Sequence, residues 1–385
     1  MRILYFSFVE LDIPNACRTH TLGILKGFIQ NGCRVDAVLP RPKMERPKIP
    51  SVRFYYIWPW RFSILGKWWV KNLCGWYFFI LCLLRKYEAI YIRELENYWV
   101  PRVLSKLFGI PLFLEINDLL PVYFKDIGCS ERYILKIIKS QFLDFKQASG
   151  LIANSMPMKN WIEANYPITV GKVKFIMNGG EEQNENCLNR SKVLGELERD
   201  ENGFYLGFVG TIYGRFDLIT PIKSVAMLGK MVPNFKFIII GDGPNKSDLQ
   251  KYVRKHQLTD QVIFTGFIEE NQLDRYLPTL DLAIIPLTQR STENYGSLPT
   301  KFATYASFKL PVVTTESNLN GYPEEIKKWV LMYQAECPDD LMRLLYLLYE
   351  NKRIREESAR QLNQYFINNL TWKSVAQRIV EAMSD

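Results

Sequence analysis

Short apolar runs alternate with longer amphipathic stretches from one end of the chain to the other, and no other feature limits the possible folds as much. In the first half the runs occupy residues 3–8, 35–39, 52–57, 89–92, 111–115, 151–154 and 173–177, with helical periodicity between several of them, as in 16–30 and 134–147. A near-continuous apolar run suits a strand buried on both faces, and a helix between two such strands is a crossover that leaves them parallel. Residues 181–202 are polar, rich in turn formers, and read as a linker. The alternation then resumes at 204–210, 235–240, 262–264, 282–286 and 311–314. These elements predict an α/β protein of two doubly wound, Rossmann-like domains, at 1–185 and 186–370.

A length of 385 residues accommodates two such domains. With 48% apolar and 23% charged residues, the composition is that of an ordered globular protein. The net charge of +9 is unevenly shared: residues 1–180 carry 25 Lys and Arg against 13 Asp and Glu, the remainder 24 against 27. The basic surplus therefore lies in the first half, which suits an anionic partner such as nucleic acid, acidic lipid head groups or a pyrophosphate. Nucleic acid ranks lowest, because no basic run is interleaved with a binding motif. Two histidines, His20 and His256, exclude a multi-histidine zinc site. Seven scattered cysteines without a C-x-x-C pair indicate reduced thiols and a cytoplasmic protein.

The N-terminal apolar run is too short for a signal peptide and lacks a small-residue cleavage site. Residues 64–84 have the length of a membrane span, but Lys67, Lys71 and Asn72 leave only 73–84 uninterrupted. A buried or surface-lying helix is expected there instead. The stretch from Trp58 to Lys71 mixes Trp with Lys and Arg, a composition suited to contact with an anionic membrane surface or to an aromatic core helix.

Four places concentrate chemistry. In doubly wound sheets ligands bind beyond the carboxyl ends of the strands, so the turn after the first strand, with Asn15, Arg18 and His20, is a candidate for holding a phosphate or sugar hydroxyl. The fifth run ends in Glu115, Asn117 and Asp118, which suit hydrogen bonding to a hydroxylated ligand or acid–base work, or else a turn. Gly210, with Gly214, Arg215 and Asp217 after it, follows the first strand of the second half, and Gly241, Asp242 and Gly243 repeat the pattern one unit later. Glycine allows close backbone approach, Arg215 offers a planar fork for phosphate oxygens, and Asp217 is placed to cap the next helix. The fourth place is Gly296, Ser297, Leu298, Pro299, Thr300 and Lys301. A glycine loop there enters a helix with Pro299 in its first turn, and free amides beside an ammonium make an anion site.

With these residues in view, the chain resembles the GT-B-fold retaining glycosyltransferases of the family-4 type, the glycosyl transferases group 1. The markers run in order: Val209-Gly210, Gly241 to Pro244, Val262 to Gly266, Asp281 to Pro286, Pro299 with Lys301, and Pro311 to Val313. In the first half Ile152 to Ser155 and Ile176 to Gly179 agree, as does the closing Thr371-Trp372 before a helix at 371–385, which the resemblance implies crosses back to the first domain. The resemblance implies two domains facing across a cleft. The second would bind a nucleotide-sugar donor, with Arg215 and Lys301 on the diphosphate and Gly241, Asp242, Gly243 and Phe267 bordering the base. The first would bind a glycan or polyprenyl-linked glycan acceptor, with the turn carrying Asn15, Arg18 and His20, and Glu115 to Asp118, facing the donor sugar.

The same resemblance implies transfer with retention, no obligatory metal or other cofactor, and a cytoplasmic enzyme of cell-surface polysaccharide synthesis in peripheral contact with the membrane through its basic domain. Two departures accompany it. Asn15-Ala16 stands where the family usually has Gly-Gly, and Gly296 and Thr304 stand where it usually has two glutamates eight positions apart. Glu293 is a candidate substitute, and the departures also admit a second reading, a catalytically decayed subunit that binds a sugar nucleotide or a partner glycosyltransferase.

Overall fold

The computed structural model describes residues 1–13, 15–43, 46–57, 75–93, 99–183, 194, 200–269, 272–290 and 300–384. Seven strands of the first unit, β1 (Arg2–Phe6), β2 (Arg34–Pro40), β3 (Val52–Ile57), β4 (Ala89–Arg93), β5 (Leu112–Ile116), β6 (Gly150–Ala153) and β7 (Val173–Phe175), form one sheet. Every pairing is parallel, in the order β3-β2-β1-β4-β5-β6-β7. The crossovers include α1 (Ala16–Gln30), α2 (Val100–Phe108), α3 (Leu120–Asp126), α4 (Glu131–Gln147) and α5 (Met156–Asn165), and residues 75–84 are also helical. Side chains alternate between the sheet's faces, which is why the strands must be apolar throughout. Leu4 and Phe6 enter a core with Phe78, Val100 and Phe145. Ile3 and Tyr5 enter another with Ile24 and Phe28 of α1.

The second unit repeats the design. Strands β8 (Phe204–Val209), β9 (Phe235–Ile240), β10 (Val262–Gly266), β11 (Leu282–Ile285), β12 (Val312–Thr315) and β13 (Leu331–Tyr333) pair in parallel in the order β10-β9-β8-β11-β12-β13. Its helices are α6 (Ile219–Leu228), α7 (Lys246–Lys255), α8 (Leu273–Tyr276), α9 (Lys301–Ser307), α10 (Glu324–Lys327), α11 (Pro338–Glu350) and α12 (Lys352–Asn369). Among the described residues, strand β13, three residues long, is the one strand the apolar runs do not announce. In each sheet the order reverses beside the first strand, at β1/β4 and at β8/β11, and the carboxyl ends of those strands mark where a doubly wound sheet binds ligands.

One unit comprises residues 1–179 and 372–385, the other 180–371. The final helix, α13 (Trp372–Ser384), thus completes the first unit, covering α1 with Val375, Ala376 and Ile379. Glycines make that contact possible. A Cβ on Gly23 would fall 2.1 Å from Trp372 Cε2, and one on Gly27 would fall 2.2 Å from the Trp372 carbonyl oxygen. Asn31 closes the far end, its Nδ2 donating to the Lys373 carbonyl at 2.8 Å. The expected Trp58–Lys71 contact lies outside the described residues. No helix among the described residues is long and apolar enough to cross a membrane.

Candidate active site

Each unit assembles polar side chains at its switch point. In the first, Glu115 sits near the end of β5, fully inside the protein. Tyr91 Oη donates to its Oε2 at 2.7 Å and Asn117 Nδ2 to its Oε1 at 2.7 Å, while His20 Nε2 lies 2.5 Å from Oε1. Burial works to raise the Glu115 pKa, but the pairing with His20, the Arg93 charge and the Asn117 amide outweigh it and hold it at about 2. An ionised carboxylate buried this way needs every one of those partners. Tyr5, behind it, is raised well above the ordinary tyrosine range by its own burial and by the Glu115 charge.

His20 and Glu115, which the sequence directs toward a ligand, form a buried pair that lines a small cavity with Ile24, Ile152 and Asn178. His20 comes from the second turn of α1, one turn inside the helix, so it points at the sheet and packs edge-on to Trp372, ring centres 5.3 Å apart. Asn15 is likewise occupied within the fold, where its Oδ1 accepts from the Arg18 amide at 3.0 Å and caps α1. Asn117 and Asp118 are half-buried just beyond β5. Arg93, which no sequence motif announces, ends β4 at the switch point. Its Nη2 reaches Cys17 Sγ at 3.3 Å and its Nη1 the Cys17 carbonyl at 3.4 Å, with Glu115 and Asp118 contributing charge nearby. The rule that ligands gather at strand ends applies to Arg93 as well as to Glu115.

In the second unit the strand-then-glycine motifs pack against each other. Gly210 and Gly241 have φ of 141° and 147°, and a Cβ on Gly241 would fall 2.0 Å from the Gly210 carbonyl oxygen. The Gly210 amide donates to Ile240 O at 2.9 Å and the Ile212 amide to Asp242 O at 2.8 Å, so the two loops are cross-linked through backbone. Asp242 accepts from the Gly243 amide at 2.8 Å and from Lys246 Nζ at 2.7 Å, which lowers its pKa. Phe267, just beyond β10, is exposed.

Lys301 is the first residue of α9, and its ammonium leaves the helix for the switch point. Nζ lies 3.5 Å from the centre of the Phe216 ring and 4.2 Å from that of Phe208. Burial and then the Arg215 charge push its pKa well below the ordinary lysine range. Lys301, held against two aromatic rings and within reach of the Arg215 charge, is a cation whose burial a bound anion would relieve. Tyr305, unremarked in the sequence, fastens α9 in place, its hydroxyl accepting from the Val209 amide at 2.9 Å. Asp217 performs the expected capping, Oδ1 accepting from the Thr220 amide at 3.1 Å. Thr304 is half-buried on α9. Gly296, Ser297, Leu298, Pro299 and Glu293 lie outside the described residues; the described part of the helix runs from Lys301 with Thr300 before it.

Residues 172–369, more than half of the chain, match the family described as Glycosyl transferases group 1. The chain belongs to the glycosyl transferases group 1 family. The match spans the unit that holds Arg215 and Lys301. Among its relatives is the 2-deoxystreptamine glucosyltransferase of Streptomyces kanamyceticus, 33% identical over 86 residues, 22% of each chain. TuaH of Bacillus subtilis (strain 168), named for teichuronic acid biosynthesis, is 25% identical over 256 residues, 64% of this chain and 59% of that one. The alignments thus reach from 22% to 59% of those relatives' lengths. The crystal structure of Anabaena HepE in complex with UDP and glucose has a TM-score of 0.73 at 17% identity, covering 100% of this chain and 99% of that one. This group 1 member therefore has the GT-B fold that its sequence resembles.

Proposed function

We propose that this group 1 protein transfers a hexose from a nucleotide-sugar donor to a glycan or lipid-linked glycan acceptor, with retention and without an obligatory metal, in cell-surface polysaccharide synthesis at the cytoplasmic side of a membrane. The observation that carries the reading is the Lys301–Arg215 pair: an ammonium depressed by burial and by a guanidinium, at the carboxyl end of the first strand of its sheet. Such a pair suits a diphosphate. As the bond between the sugar and the diphosphate breaks, the two cations stabilise the charge that develops on the leaving phosphate. The acceptor oxygen forms the new bond to the same carbon, and the departing phosphate takes the acceptor's proton, so the step balances without a protein base.

Within the first unit Glu115 is a positioning residue. Buried and held at about 2, it is a fixed charge that orients Asn117, Tyr91 and His20 rather than a proton carrier. Asn117 and Asp118 then offer polar atoms to the acceptor. HepE's complex with UDP and glucose makes uridine diphosphate sugars the first donors to test.

The decayed-subunit reading draws on one observation, Thr304 and Gly296 in place of glutamates. Thermal shift against a panel of nucleotides and nucleotide sugars, followed by turnover, separates the two readings. The transferase reading expects stabilisation by at least one nucleoside diphosphate and sugar release or transfer, both lost in Lys301→Ala and Arg215→Ala. Binding without turnover, with affinity raised by Thr304→Glu, supports the decayed subunit. Neither binding nor turnover sinks both.

A further inference from the structure

Inside the first unit a cavity of about 10 Å³ lies between α1, the end of β6 and α13, walled by Ile24, Ile152, Val375 and Ile379. Two polar side chains share that lining, His20 from α1 and Asn154 from the position just after β6. They are 4% and 6% exposed, and neither His20 Nδ1 nor Asn154 Oδ1 has a hydrogen-bond partner among the described residues. Both residues are held in place. The His20 ring is fixed between Glu115, 2.5 Å from Nε2, and the edge-on Trp372 ring. The backbone of Asn154 is pinned on either side. Before it, the Ala153 carbonyl accepts from the Ile176 amide at 3.0 Å; after it, Ser155 Oγ accepts from the Met158 amide at 3.2 Å and caps α5.

An orphaned polar atom among apolar walls is costly, and two of them around one small space call for a shared partner. Apolar cavities stay dry, whereas a polar one of roughly 10–15 Å³ holds a single water. We propose that this cavity is a hydration site built into the first unit, where one buried water bridges His20 Nδ1 and Asn154 Oδ1. Nε2 faces a carboxylate oxygen and carries a proton, so Nδ1 accepts a hydrogen bond when the ring is neutral and donates one when it is charged. Water answers either state and still donates to Asn154 Oδ1. An ammonium ion, which only donates, would answer the neutral ring alone. The bridge reaches the strand end as well. His20 holds Glu115 Oε1, and that oxygen accepts from Asn117 Nδ2 at 2.7 Å, so the water extends one network from Asn154 to Asn117. Asn154 is thereby a positioning residue for Asn117. The assignment needs no nucleotide and stands apart from the transfer chemistry.

High-resolution crystallography of the full chain should show one isolated peak within hydrogen-bond distance of both atoms. Asn154→Leu, close in shape but apolar, should lower the melting temperature by about 2–4 °C, because the water loses one anchor and His20 its bridge. In a dry cavity the same substitution would remove an orphaned oxygen and raise the melting temperature instead. Isotope labelling of the asparagine side chains reads the relay. The Asn117 amide signal should shift in Asn154→Leu and return toward its wild-type position in Asn154→Ser, whose hydroxyl restores an acceptor. An empty cavity, a water bonded to only one of the two atoms, or an Asn154→Leu protein that melts at or above the wild-type temperature overturns the hydration site. An Asn117 signal indifferent to Asn154→Leu overturns the positioning role. Should Asn154→Leu fail to fold, the wild-type density decides the site and Asn154→Ser the relay. Thermal shift with uridine diphosphate on the wild type tests the transferase reading separately, so either can fail while the other stands.

Discussion

His20 Nε2 and Glu115 Oε1 lie 2.5 Å apart, each side chain only 5% exposed, and they join the second turn of α1 to the end of β5 across 95 positions of sequence. The folded Glu115 pKa of about 2 lies below its ordinary 4.5, so between those values the unfolded chain binds more protons. The pair therefore stabilises the fold above pH 4.5 and that contribution is lost as pH falls toward 2. Glu115→Gln should cost about 2 kcal/mol at neutral pH and flatten the acid limb. Urea midpoints measured from neutral pH into the acid range decide it. A variant that keeps the wild-type slope contradicts the assignment.

Lys301 carries a different trade. Its pKa is lowered in the fold, so the unfolded chain is the better proton acceptor and the unliganded protein gains stability as pH rises through the lowered value. Lys301→Met, which lays an apolar chain across Phe208 and Phe216, should leave the unliganded protein as stable or more stable by about 1 kcal/mol. The same variant should lose the melting shift given by a nucleoside diphosphate. Calorimetry with and without uridine diphosphate reads both. A large loss of unliganded stability would point to a structural lysine.

Gly241→Ala places a methyl group against the Gly210 carbonyl and should cost about 3 kcal/mol, read as a drop in the urea midpoint at constant m-value. Gly210→Ala acts differently, because its Cβ would fall 2.8 Å from Lys301 Nζ. That substitution should displace the ammonium and weaken nucleotide affinity by roughly tenfold, beyond any backbone cost. Isothermal titration separates the two effects.

Gly27→Ala would drive a side chain into the Trp372 carbonyl and Ala376 Cβ, prising α13 from α1. Trp372→Ala removes the ring over His20 and Gly23 and should cost about 3–5 kcal/mol. Hydrogen exchange is the measurement of choice, with lost protection expected on α1 and α13 and little change on β8 to β13.

Both sheets were legible because a strand buried on two faces has little choice but to be apolar, and Gly or Pro marks where it stops. β13 escaped because three residues between turns carry no period. In the second unit the packing of the Gly210 and Gly241 loops was legible as glycine after strand, since close backbone approach leaves a residue-type signature. The first unit's web was not. Glu115 reads as a strand-end carboxylate, and nothing local says that His20 and Tyr91 converge on it or that Arg93 lies close by. Tyr305 was hidden likewise, its partner amide at Val209 being 96 positions away. Local patterns reveal backbone demands, whereas side-chain pairing across distant strands is decided only by the folded sheet.

Because α13 completes the first unit, the order of synthesis and the order of assembly cannot coincide. While the ribosome translates the whole of the second sheet, α1 waits with Gly23, Gly27 and their apolar neighbours uncovered. The nascent chain must be kept from sticking there, so of the two units the one begun first is the later to reach its finished state.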